Sequence, residues 1–277
     1  MESTKKPYQA LAAGIFLPGL GHLYAGDKRG AAFSFVAVTA CFAVGLWLAD
    51  WRVFAFSNSL FSGVFKNLPI HLLPEAVNFG ETTVAWIMQP ESADPDRARL
   101  LRLPISTEHL GLTLTGLSGY LNAILAADAC WLVARDNLSE KRGRQLTGRP
   151  AISALLTWLV PGLGHAREGR GRIGALVGFG VIGIYVMGLW FSDFRGVDRS
   201  QLYWWWAGEA GFGGASLVLT PLLGPLALEH DVDTVDLGIT LLCIAGLLNV
   251  VAMTQAYTLG EKRALDAEPG VTPGGTA

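Results

Sequence analysis

Two copies of one five-residue block are the first place where chemistry could sit. Pro18-Gly19-Leu20-Gly21-His22 returns unchanged as Pro161-Gly162-Leu163-Gly164-His165. A basic turn follows each copy, Lys28-Arg29 in the first and Arg170-Gly171-Arg172 in the second. Two glycines two apart permit a tight turn and close backbone approach. A helix broken there exposes backbone groups. With Arg29 and Arg172 beside them, His22 and His165 are candidates for holding an anionic headgroup or substrate. The architectural alternative is a hairpin turn whose histidine caps carbonyls. Two histidines from separate copies are too few ligands for a metal, and no metal is expected.

Other candidates lie in longer apolar runs. Asp128 is the one acid well inside such a run, and it falls at the level of His22 and Arg29. A buried acid there pairs or serves a proton or ion pathway. Its counterpart in the second copy is Gln255, which cannot titrate, so a symmetric carboxylate relay is not expected. Asn122 and Asn249, each with a glycine (Gly119, Gly246) one turn earlier, read as the packing contact between the copies, with a ligand site there as the alternative. Glu75 and Glu209 recur in the two long connections as solvated or capping acids, or as a carboxylate pair for hydrolysis if a cleft brings them together.

The remaining chemistry is thin. The chain carries no Walker loop, Gly-x-Ser-x-Gly, zincin helix or dinucleotide fingerprint. No cofactor is expected. A net charge of -2 gives no case for nucleic acid. Cys41, Cys130 and Cys243 sit in apolar runs without metal spacing and read as packing residues.

The elements that must position these groups are membrane elements. Hydrophobic residues make up 51% of the 277 and charged residues 16%, against about 25% charged in soluble domains. Four runs are long enough to span a bilayer: 31–49, 110–133, 173–191 and 237–257. Two shorter ones, 9–20 and 151–163, end at the Pro-Gly and read as broken or re-entrant half-helices. The N-terminus imitates a signal peptide, but its cleavage site is poor and its pattern recurs at 152–165, so it reads as retained.

Residues 18–32 match 161–175 at 8 of 15 positions, and 110–129 match 237–256 at 8 of 20. Between them, Glu75-Ala76 ahead of Phe79-Gly80 echoes Glu209-Ala210 ahead of Phe212-Gly213. Preserved order points to duplication. The fold class expected is all-α integral membrane, two tandem parallel repeats with four full spans. Repeat 1 covers 1–135 with an outer loop at 50–109. A basic cytoplasmic linker follows at 136–150. Repeat 2 covers 151–263 with an outer loop at 192–236, and 264–277 is a disordered tail. Segments 1–30, 134–172 and 258–277 hold 14 of the 21 Lys and Arg, which places both termini in the cytoplasm. Trp47, Trp51, Trp190 and Tyr203 to Trp206 read as an interfacial aromatic belt.

The Pro-Gly-Leu-Gly-His block, with Tyr24 and Gly26 after it, resembles the opening hairpin of TM2-like small bacterial multi-pass membrane proteins, here duplicated. The second copy departs from that pattern, with Arg167 in the aromatic position. The resemblance implies topology and no activity; the location expected is the bacterial inner membrane. Three functional readings stand: a scaffold or accessory subunit with a membrane-protein partner in the bilayer, a small transporter or lipid-handling protein using the broken helices, and an outer-face enzyme using Glu75 and Glu209.

Overall fold

The computed structural model describes residues 5–56, 73–88, 105–143, 145–224 and 233–266. Among these the chain is helical, with no strand. The first half runs α1 (Pro7–Phe16), α2 (Leu20–Ala25), α3 (Lys28–Leu48), two 3-10 turns (Arg52–Phe56 and Glu75–Val77), α4 (Phe79–Met88) and α5 (Glu108–Arg142). The second half runs α6 (Pro150–Leu159), α7 (Leu163–Arg167), α8 (Gly171–Phe191), α9 (Tyr203–Glu209), α10 (Gly213–Leu223) and α11 (Val235–Asp266). By length and composition α3, α5, α8 and α11 could each cross a membrane.

Local chemistry explains the paired short helices. Pro7 and Pro150 open α1 and α6, where a missing N–H costs nothing. Pro18 and Pro161 end them, because the residue before a proline is pushed out of the helical region. Leu17 and Val160 are accordingly extended, with φ −143° and −137°. Gly19 and Gly162 follow at φ 81° and 83°, a left-handed conformation that suits glycine. Gly21 and Gly164 then press against the carbonyls of Ala10 and Ser153, leaving no room for a Cβ. The result in each half is a helical hairpin.

The connection to the second long helix turns inward as well. Gly80 lies against the Phe16 carbonyl, and Gly214 against the Leu159 carbonyl. Helix α4 then climbs to the far end, where Trp86 meets Phe54 edge-on at 5.4 Å. Thus α1 and α4, ten residues each, meet end to end. Together they cover about 30 Å at helical rise. Helices α6 and α10 repeat the arrangement. Each half therefore contains an interrupted helical rod assembled from two distant pieces of chain.

Asparagine holds each junction. Asn122 Nδ2 donates to the carbonyls of Gly14 (3.1 Å) and Val77 (2.9 Å). Asn249 Nδ2 donates to those of Thr157 (3.0 Å) and Gly211 (2.9 Å). The last carbonyls of a helix have no partner within it, and with Asn122 and Asn249 buried no water replaces one. This corrects the expectation that Asn122, Asn249, Gly119 and Gly246 join the copies. All four act inside their own half: Gly119 lets the Pro74 carbonyl approach α5, and Gly246 does so for Gly208 on α11.

Further expectations change. The apolar runs 110–133 and 237–257 belong to helices that continue to Arg142 and Asp266, so the first part of the linker 136–150 is helical, up to the left-handed Gly143. Of the proposed tail, 264–266 is helix and 267–277 lies outside the described residues. The half-helices are shorter than 9–20 and 151–163, each followed by an unforeseen turn of helix. Glycine contacts and the matching Thr82 and Ser216 bonds to the Glu75 and Glu209 carbonyls put Gly80 opposite Gly214. The sequence echo, which paired it with Gly213, was one residue out of register. Trp206 is buried and does not join an interfacial belt, whereas Trp47 and Trp190 are exposed.

The halves meet where α5 packs on α6 and α10. Tyr120 stacks on Trp158 at 6.1 Å and donates to the Ala207 carbonyl at 2.8 Å. Tyr257 donates to the Ala127 carbonyl at 3.1 Å.

Asn122→Leu or Asn249→Leu leaves two buried carbonyls without a donor. Each should lower unfolding stability in detergent by about 2–4 kcal/mol. Unchanged unfolding in both variants would contradict the junction role.

Candidate functional site

The inner site of the first half is built by three helices. Helix α2 presents His22, α3 presents Ser34 and α5 presents Asp128. His22 Nε2 lies 3.2 Å from Asp128 Oδ2, and His22 Nδ1 lies 3.2 Å from Ser34 Oγ. Of the partners open to Asp128 at this level, the structure sets His22 beside it and leaves Arg29 outside. Arg149, from the segment entering the second half, donates to Asp27 Oδ2 at 2.6 Å, and its Nη1 stands 3.8 Å from Asp128 Oδ2. Asp27 caps α3 by accepting from the Gly30 N–H at 2.9 Å. That bond, opposed by partial burial and aided by Arg149, holds the Asp27 carboxyl below the ordinary aspartate value.

A serine, histidine and aspartate in this order invite a hydrolytic reading. Nucleophilic catalysis needs a serine that a substrate can reach. Here Ser34, His22 and Asp128 are 1%, 2% and 3% exposed. The chain of bonds ties three helices together. His22 and His165 are likewise closed to a headgroup. Arg29 and Arg172 are exposed on the first turns of α3 and α8, outside both histidine pairs.

The second half keeps the frame and loses the charge. His165 Nε2 meets Gln255 Oε1 at 3.1 Å. Its Nδ1 has no partner, because the position matching Ser34 is Val177. Glu168 is instead the local acid, bonded by Ser153 and Arg167.

Glu75 and Glu209 are buried, at 0% and 1% exposed, which corrects the solvated reading. They occupy equivalent positions with different partners. Arg199, itself wholly buried, pairs with Glu75 Oε1 at 2.5 Å, and its Nη1 donates to the Leu112 carbonyl and to Thr115 Oγ1 at 3.1 Å. Its guanidinium sits 4.5 Å from the Trp206 ring centre, within cation–π reach. Arg199 comes from the second half, so this pair clamps the halves. Glu209 accepts from Tyr185 Oη at 2.7 Å inside its own half. With both carboxylates enclosed, neither faces a cleft.

Two apolar cavities lie between α5 and α11. One, of about 340 Å³, is lined by Tyr120, Ile124, Met253 and Tyr257 among others. The other, of about 400 Å³, is lined by Pro74, Gly119, Trp204, Cys243 and Leu247 among others. They share Tyr120 and Ala123.

Sequence reasoning missed Arg199, Arg149 and Ser34. One signal was present: only two of the 21 Lys and Arg fall within 192–236, Arg195 and Arg199. A cation in so basic-poor a stretch needs an acid partner.

The arrangement defines an all-helical protein, compatible with a multi-pass membrane protein, in which one helical unit occurs twice. The chain belongs to the Family of unknown function (DUF6677), whose model matches residues 9–142 and again 152–268. No curated protein and no solved structure matches it.

Removing one partner of a buried ion pair leaves the other charge uncompensated. Arg199→Met or Glu75→Gln should cost about 3–5 kcal/mol of unfolding stability, and the pair Arg199→Met with Glu75→Leu should recover much of that loss. Additive losses in the double variant would contradict the clamp.

Proposed function

We propose that this protein is an integral membrane protein of the bacterial inner membrane, with two like-facing tandem halves and both termini in the cytoplasm, and that it handles lipid. The excess of Lys and Arg in 1–30, 134–172 and 258–277 supports the orientation. The observation that carries lipid handling is the crevice between α5 and α11. Its lining runs from Cys243 to Thr258 along α11, about 22 Å at 1.5 Å per residue. That is the reach of one extended acyl chain. The seat differs from the broken helices favoured by the sequence, since His22 and His165 are enclosed. A TM2-like relationship adds only topology to this reading.

A second reading, a scaffold or accessory subunit with a membrane-protein partner, draws support from the inward use of polar groups: Glu75, Arg199, Asn122 and Asn249 all spend their bonds on the fold itself. The outer-face enzyme reading has no support from Glu75 and Glu209, which are enclosed.

Ala123→Trp and Val250→Trp should fill the crevice. Native mass spectrometry of protein extracted in mild detergent should show lipid retained by the parent protein and lost from both variants. Equal lipid retention in parent and variants would sink the crevice as the seat. A stoichiometric protein partner with no retained lipid would favour the scaffold.

A further inference from the structure

A second hollow opens on the outer flank of the first half, between α3 and α4. It holds about 320 Å³ and is lined by Leu17, Phe35, Phe42, Trp51, Val84 and Met88 among others, with Thr39 and Glu81 on its wall. Glu81 is the single titratable group among the described lining residues. It sits in the first turn of α4, one residue after Gly80 meets the end of α1. Thr39 lies eleven residues into the 21 of α3, so on the membrane reading above, on which this inference rests, the carboxylate is near mid-bilayer. A titratable group there is costly and is usually functional.

Among the described residues its oxygens are held by neutral donors alone. Thr39 Oγ1 donates to Glu81 Oε1, and Asn78 Nδ2 donates to Glu81 Oε2 at 2.7 Å. Asn78 is wholly buried, yet its Oδ1 has no partner among the described residues. The groups facing Glu81 are hydroxyl, amide and hydrocarbon: Thr39, Phe35 and Phe42 from α3, Leu17 from the end of α1, Trp51 from the turn after α3, and Asn78, Val84, Ala85 and Met88 from around α4. None supplies a compensating positive charge.

The second half shows that the junction does not require these groups. Thr39, Asn78 and Glu81 correspond to Ile182, Phe212 and Ala215, by the registers that Gly19 with Gly162 and Gly80 with Gly214 define. There α10 packs through apolar contact, with Phe212 edge-on to Tyr185 at 5.1 Å. All three polar groups are therefore surplus to holding a half-helix junction closed.

We propose that Glu81, with Thr39 and Asn78, forms a binding site for a small monovalent cation, a proton or sodium, reached from the lipid-facing hollow. The carboxylate supplies the charge. Thr39 and, once its amide rotates, the Asn78 carbonyl supply further oxygen, and discontinuous helices are where membrane proteins commonly place such ions. A bound proton would turn Glu81 into a donor, which Asn78 Oδ1 could accept once the amide rotates.

Dicyclohexylcarbodiimide, which attacks protonated carboxyls in apolar surroundings, tests this on protein in liposomes. The label should fall on Glu81 and be absent from Glu81→Gln. Several-fold suppression by raised pH alone assigns the proton; suppression by sodium at fixed pH, with potassium inert, assigns sodium. Infrared difference spectra between acid and alkaline media should carry a protonated-carboxyl band missing from Glu81→Gln. The triple variant Thr39→Ile, Asn78→Phe, Glu81→Ala copies the second half and should fold while giving neither signal. No label on Glu81 in folded protein, or a label indifferent to both pH and sodium, overturns the site. Lipid retention in the α5–α11 crevice is read separately, so either idea can fail alone.

Discussion

A helix that stops inside an apolar layer leaves carbonyls that nothing around them can satisfy. Helices α1 and α6 face that difficulty at their ends, and the turns leading into α4 and α10 leave the Val77 and Gly211 carbonyls beside them. The solution is the same in both halves. The end of one short helix is set against the start of another, and an asparagine from the long helix beside them supplies two N–H groups. Proline and glycine make the break possible, and the asparagine makes it stable. Much of the rest of each half follows from keeping these pieces together: the close approaches at Gly119 and Gly246, and the inward turn of the connections.

The two halves show what duplication preserves and what it releases. Backbone geometry is retained closely, down to left-handed pairs at Asp50-Trp51 and Asp193-Phe194, and matching Thr107 and Thr234 bonds to the Leu48 and Phe191 carbonyls. Buried chemistry has diverged. Asp128 becomes Gln255, Ser34 becomes Val177 and Glu81 becomes Ala215. Equivalent acids Glu75 and Glu209 answer to an arginine from the other half and a tyrosine from the same half. Each half buries titratable groups of its own, His22, Glu75 and Asp128 in the first and His165, Arg199 and Glu209 in the second, on one backbone frame.

Spans, half-helices and the His22–Asp128 pair were legible in the sequence because they rest on local signals: apolar length, Pro-Gly breaks and an acid that needs a partner. The inward-turning connections were not. Residues 73–88 and 203–224 read as loops because each helix within them is too short to span, and no local rule says that two such pieces will join across a distance. For the same reason Asn122 and Asn249 pointed toward a partner copy; their true acceptors, Val77 and Gly211, lie in those connections. Glu75 and Glu209 looked solvated for want of a visible partner. Arg199 is 124 residues from Glu75, beyond any pattern of spacing.

On the proposed reading, two similar units sit side by side in a bilayer and face the same way. Cysteine accessibility tests this directly, with Cys41, Cys130 and Cys243 replaced and single cysteines placed at Glu140 and Gln201, both exposed. A membrane-impermeant thiol reagent applied to intact cells should label Gln201→Cys and reach Glu140→Cys only after the membrane is opened. Labelling of Glu140→Cys from outside, or of both positions from one side, would contradict it.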